Sequence, residues 1–138
     1  MFFKRTNKYQ GVAVLSEQRE YISEPEKIRQ ALKQTGNYGF DLYDDREKIG
    51  FILLRQFSEK GFFLWDFIID QKHQNKGYGT IFLGKLMPFL ESEFGAQFLT
   101  TTYIEGNHHA QYLYEKTGFV EMDRVQVGTV WEVNLKKE

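Results

Sequence analysis

The chain has 138 residues, 41% hydrophobic and 17% aromatic, with 18 Lys and Arg against 19 Asp and Glu for a net charge of −1. That size suits one domain over residues 1–138, and neither half is basic enough to hold a phosphodiester backbone, which argues against nucleic acid as the main ligand. The absence of cysteine excludes disulfides, thiolate metal sites and a cysteine nucleophile, and no signal-like segment or apolar run of roughly 18 residues appears, so a cytoplasmic protein with no membrane partner is expected.

In chain order, MFFKRT reads as a short edge strand. Residues 8–21 lean helical. SEPEKIRQALKQTG, 23–36, reads as a helix: Ser23 or Glu24 leads into Pro25, Ile28, Ala31 and Leu32 form one apolar stripe, and Gly36 can end it. YGFDLYD, 38–44, and KIGFILLRQF, 48–57, read as a hairpin around DDRE. FFLWDFIID, 62–70, is apolar at nearly every position, so a central strand is expected. Residues 78–95 carry Ile81, Phe82, Leu86, Phe89 and Leu90 at helical spacing. Pro88 lies inside that helix and is expected to kink or rearrange it. QFLTTTYI, 97–104, is a strand. Asn107 can cap a short helix that ends before Gly118. FVEMDRV and TVWEVNLK are closing strands. The expected fold is α/β (α+β), a mixed, mainly antiparallel sheet of about six to seven strands flanked by helices.

Between the strand at 62–70 and the next helix stands HQNKGYGT, 73–80. Its backbone N–H groups can converge on an anion at a helix N-terminus, with Gly77 and Gly79 keeping side chains out of the way. A plain tight turn has the same composition. The three-glycine dinucleotide fingerprint is missing, and no G-K-[ST] follows. A second segment, NHHAQYLYEKTGF at 107–119, adds to the pattern.

Together these segments resemble the GNAT N-acetyltransferase superfamily. Gln74-Asn75-Lys76-Gly77-Tyr78-Gly79 is similar to its Q/R-x-x-G-x-G/A acetyl-CoA motif. Asn107, seven residues before Tyr114 in a Leu-Tyr-Glu-Lys-x-Gly-Phe context, is similar to its second motif. The resemblance is strongest over about residues 61–120. It implies acetyl-CoA as co-substrate and no metal. It implies that the pantetheine arm pairs with the open backbone edge of Phe67, Ile68 and Ile69. It also implies that the amides of Gln74, Asn75, Lys76, Gly77, Tyr78, Gly79 and Thr80 bind the pyrophosphate. Asn107 would hold the arm, and Tyr114 would be the general acid for the departing thiolate. The superfamily commonly forms homodimers.

Each residue also has an ordinary reading. Asn107 makes a good N-cap, and Tyr114 shares a helix face with Ala110 and Leu113 as a core aromatic would. His108 and His109 point about 100° apart on a helix, with no third ligand nearby, which fits solvated polar residues. The chemistry implied is direct acetyl transfer to an amine, which must first lose a proton. Asp66 and Glu105 are the acidic candidates for the base, and a water-mediated route is a third. Adjacent strand residues face opposite sides, so Trp65 and Asp66 share a face only if a bulge intervenes.

The L-W-D-F-I-I-D strand and residues 15–22 look like the bacterial spermine/spermidine (diamine) acetyltransferase branch. Such enzymes can carry an acid where this chain has Trp65, and this chain departs from them there. Early acidic residues, Glu17 and Glu20 among them, suit a polycationic small-molecule amine, or an ordinary charged surface. Trp65 would wall the acceptor site. Two other readings remain: a catalytically weak acyl-CoA-binding regulatory protein, and an acetyltransferase for a protein or peptide amine.

Overall fold

The computed structural model describes residues 1–138. Seven strands form one sheet: β1 (Phe2–Thr6), β2 (Asn37–Asp44), β3 (Glu47–Gln56), β4 (Gly61–Ile69), β5 (Phe98–Ile104), β6 (Val120–Val127) and β7 (Val130–Lys137). Their order is β1-β2-β3-β4-β5-β7-β6. The one parallel pair is β4 with β5, reached by a helical crossover; every other pair is antiparallel. This is the mixed, mainly antiparallel sheet expected, with the 62–70 segment at its centre.

The helices are α1 (Pro25–Leu32), α2 (Tyr78–Phe94) and α3 (His108–Lys116). Helices α2 and α3 cover one sheet face. There Phe82, Leu83, Leu86 and Leu90 of α2 are fully buried against Ile52, Leu54, Phe62, Leu64 and Leu99. Each such side chain stabilises the fold by about 1.5–3 kcal/mol. Helix α1 covers the other face over β3 and β4, burying Ile28 and Ala31 with Tyr9, Phe51, Leu53 and Ile68. The alternation of Phe51 and Leu53 against Ile52 and Leu54 is what lets β3 serve both cores. No helix is long and apolar enough to cross a membrane.

Two local expectations need correction, and the one at Pro88 is narrowed. Residues 8–21 do not form an α-helix; only a 3₁₀ turn at Ser16–Tyr21 is regular, because the stretch lacks a repeating apolar face of its own. Helix α1 stops at Leu32, short of Gly36, because Asn37 Nδ2 donates to the Ala31 carbonyl at 2.9 Å and caps the last turn. Helix α2 continues past Pro88 to Phe94, so the proline does not end it. The missing N–H leaves the Gly84 carbonyl without its helical donor, but Gly84 and Pro88 are both exposed, so water can take its place.

Pro88→Ala restores that donor and removes the ring. It should therefore raise the unfolding free energy by about 1–3 kcal/mol, read from the denaturant midpoint. An unchanged or lower midpoint would mean that the helix depends on the proline.

Candidate active site

The site begins where β4 leaves β5. The two strands pair only from Gly61↔Phe98 to Leu64↔Thr101. Thr101 Oγ1 donates to the Leu64 carbonyl at 3.0 Å and closes the last rung. Beyond it β5 pairs only with β7, and β4 only with β3. The backbone of residues 66–69, including Phe67, Ile68 and Ile69, thus has an open edge facing a V-shaped gap.

A bulge accompanies the split. Leu54 faces Leu64 and Leu53 faces Asp66, so Trp65 is the extra residue. Trp65 packs with the α1-side core, and Asp66 Oδ1 accepts the Ser23 N–H at 3.0 Å just ahead of α1. The bulge therefore turns both side chains to the same face. Asp66 is only 5% exposed, and its Oδ2 has no hydrogen-bond partner. Burial pushes its carboxyl above the usual range; the Ser23 N–H and hydroxyl and the Lys27 charge oppose that shift.

Tyr114, on α3, packs against the α2-side core on the opposite face, beside Thr101 at the last rung between β4 and β5. Burial pushes its phenol up to about 12; Thr101 counters this and the Asp66 charge adds to it. A buried carboxyl and a protonated phenol thus lie on the two faces of the sheet at the split.

The glycine loop lies at the open end of β4. Asp70 Oδ1 accepts the Lys72 N–H at 2.9 Å and starts a short 3₁₀ turn, Gln71–His73. Asn75 (φ 61°) and Gly77 (φ 85°) then adopt left-handed backbone, and α2 begins at Tyr78. No N–H from Asn75 to Thr80 donates to a protein acceptor. Six consecutive free amides at the positive end of a helix fit an anion. Lys76 is exposed beside them. Gly77 needs its left-handed φ and faces open space. Gly79 differs: its missing Cβ would point at Leu113 at 3.4 Å, so its smallness lets α2 pack on α3. The loop is pinned by Tyr78, whose hydroxyl donates to Asp44 Oδ2 at 2.6 Å, and by His73 Nε2 at 3.1 Å from Glu47 Oε1.

Gln74 turns toward the N-terminal segment. Its side chain exchanges two hydrogen bonds with Gln18, at 2.8 and 2.9 Å, and donates to the Ile69 carbonyl at 3.0 Å. The Gln71 N–H also donates to the Ala13 carbonyl at 2.8 Å.

The remaining candidates are placed as follows. Asn107 is an N-cap, its Oδ1 accepting the Ala110 N–H at 3.2 Å, which leaves Nδ2 free for a ligand. Glu105 is exposed and ion-paired to Arg124 at 2.8 Å, so its carboxylate is already engaged. Glu17 and Glu20 are exposed on the 3₁₀ turn and touch none of the groups around the gap. His108 and His109 are exposed. Gln18, Ser23, Lys27 and Thr101 also belong to this neighbourhood, and no sequence motif marks them. Each acts across a long stretch of chain, through contacts that short-range spacing does not encode.

The family model described as "Acetyltransferase (GNAT) family" matches residues 7–119. The chain belongs to the GNAT acetyltransferase family, and acetyl-CoA is its acetyl donor. No curated protein matches it in sequence. Solved structures show the same fold at low identity. One is a GNAT family acetyltransferase from Elizabethkingia anophelis with acetyl-CoA bound: TM-score 0.74, 18% identity, 99% of this chain and 97% of that one. A putative GNAT acetyltransferase from Desulfovibrio desulfuricans gives TM-score 0.79 and 14% identity over 99% and 98%. A mutant of the spermidine N-acetyltransferase SpeG from Vibrio cholerae gives 0.69 and 17% over 82% and 72%.

The buried carboxyl makes a stability prediction. The folded chain holds the Asp66 proton more tightly than the unfolded chain, so this group's contribution is full below the ordinary carboxylate pKa. It is lost as pH rises through the higher folded value. Asp66→Asn should accordingly melt several degrees above the parent at neutral pH, with the gain shrinking in acid. Equal melting temperatures across the pH range would show that Asp66 carries no buried charge.

Proposed function

We propose that this protein moves the acetyl group of acetyl-CoA directly to a primary amine of a small molecule. The observation that carries this reading is the split between β4 and β5, flanked by Asp66 on one face and Tyr114 on the other. The diphosphate lies on the free amides between Gln74 and Thr80. The pantetheine arm pairs with the open edge at Phe67 to Ile69, and Asn107 Nδ2 donates to it. The thioester then sits in the gap, and the amine arrives from the α1 side.

Asp66 accepts the ammonium proton, directly or through water, as the N–C bond forms. Its unpartnered Oδ2 and its position favour it over Glu105, which Arg124 holds. A main-chain N–H of the split strand stabilises the oxyanion. Tyr114 then gives its proton to sulfur. A phenol near 12 is a weaker acid than a thiol in water, but the dry gap that raises the phenol also raises the basicity of the leaving thiolate.

A polyamine is the acceptor class supported by the exposed acidic residues Glu17, Glu20 and Glu24 of the N-terminal segment, which Gln18 ties to the loop, and by the fold shared with spermidine acetyltransferases. We also carry a homodimer with this reading, supported by exposed Val125, Val127, Val130 and Trp131 on the β6–β7 hairpin.

Two variants separate binding from chemistry. Gly77→Val forces a branched side chain into a left-handed φ and should weaken acetyl-CoA binding by about tenfold or more in calorimetry. Parent affinity would move the diphosphate off this loop. Tyr114→Phe should spare that affinity and lower thiol release by about a hundredfold, with spermine, spermidine, monoamines, amino acids and peptides offered as acceptors. Normal turnover would remove the acid role. Tight acetyl-CoA binding without turnover on any amine would favour an acyl-CoA-binding regulatory protein.

A further inference from the structure

One lysine stands on the α1 side, where the reading above places the acceptor amine. Lys27, on the first turn of α1, places Nζ over the Trp65 ring, 5.8 Å from its centroid. It is also close enough to Asp66 to lower that carboxyl's pKa. No carboxylate lies within ion-pair distance of Lys27; like most lysines of this chain it is unpaired, and only Lys48 with Asp41 and Lys136 with Glu138 find partners. An indole face attracts an ammonium without fixing its position. Beside it, the buried Asp66 Oδ2 is an acceptor with no donor. These two residues are the bulge residue and its neighbour, at the α1-side mouth of the split.

We propose that Lys27 is an intramolecular acceptor, so that the protein acetylates its own Lys27 when no free amine occupies the site. This inference rests on the acetyl-transfer reading above and adds a modification site to it. The tether matters: a side chain four methylenes long, anchored on α1, gives the amine an effective concentration in the range of millimolar for a short flexible link. The step balances. Lys27 Nζ loses a proton, attacks the thioester carbon, and forms the N–C bond as the C–S bond breaks. Of the two protons that the ammonium gives up, one leaves through Asp66 to solvent. The other is matched by the proton that Tyr114 delivers to sulfur and later recovers. The products are Nζ-acetyl-Lys27 and free coenzyme A.

Acetylation removes the Lys27 charge and with it the attraction to Trp65. The acetylated side chain is then free to leave the ring, and the Asp66–Trp65 pair is open to a cationic acceptor. A well-used free amine would suppress the reaction by occupying the same place.

The test uses the full-length protein with acetyl-CoA and no added amine. Intact mass should rise by one acetyl group, and peptide mapping should place it on Lys27. Its first-order rate should not depend on protein concentration. Tyr114→Phe should slow it by tenfold or more. Lys27→Arg should abolish the adduct while leaving acetyl-CoA affinity at the parent value by calorimetry. The proposal is overturned if acetyl-CoA binds but no adduct forms on Lys27. It is equally overturned if the adduct is indifferent to Tyr114→Phe and spread over surface lysines such as Lys4 and Lys33, which is the mark of uncatalysed chemistry. Failure of acetyl-CoA to bind would instead bring down the functional reading itself, and this proposal with it.

Discussion

Everything in the site depends on one residue too many in β4. A sheet paired along its whole length has no room between strands and no free backbone groups at its centre. The bulge at Trp65 changes both conditions at once. It coincides with the last rung between β4 and β5, so the backbone beyond it faces a gap. It also reverses the alternation of side chains. Phe62 and Leu64 face the α2 core before it, and Phe67 and Ile69 do so after it, while Ile68 joins the α1 core. Without that reversal Trp65 and Asp66 would point to opposite faces. The lost ladder bonds cost about 1 kcal/mol each. Thr101 recovers part of that by bonding the Leu64 carbonyl at the point where pairing stops.

The gap also sets the electrostatics. Asp66 and Tyr114 lie on different elements and different faces, yet the same lack of solvent between them pushes both upward. A raised carboxyl is a better proton acceptor than an exposed one, and a raised phenol keeps its proton until it is needed. In the proposed reaction the acid and the base would thus be set by burial rather than by a paired charge. Glu105 shows the contrast: similar chemistry, placed on the surface, is taken up by Arg124.

Much of this was legible in the sequence because it is local. The hairpin at DDRE, the apolar run of β4, the glycine loop and the Asn107 cap each rest on a few neighbouring residues. The motifs could place Tyr114 and the loop on the right elements for the same reason. The parts that were not legible are set by long-range contact. Residues 8–21 have the composition of a helix, but their shape is fixed by bonds from Gln74 and Gln71, more than fifty residues on. Helix α1 ends early because of a side chain from the next strand. Gly79 reads as clearance for a ligand, whereas its missing Cβ faces Leu113. From the sequence, a bulge was only the condition for Trp65 and Asp66 to share a face; that it exists, with Trp65 as the extra residue, depends on pairing with β3.

Trp65 is also where the chain departs from the acidic residue seen in some polyamine enzymes, and the structure gives that departure a physical sense. With an acid at 65, the bulge would set two carboxylates side by side on one buried face. Each would raise the other's pKa, and one would stay protonated unless a cation arrived. An indole offers an ammonium a negative ring face without a second charge to desolvate. Asp66 is then the single buried carboxyl on that side, with one oxygen fixed by Ser23 and the other unpartnered. On the proposed reading, an amine would be attracted weakly through the ring and the carboxyl would take its proton, so affinity and proton transfer would fall to two different side chains.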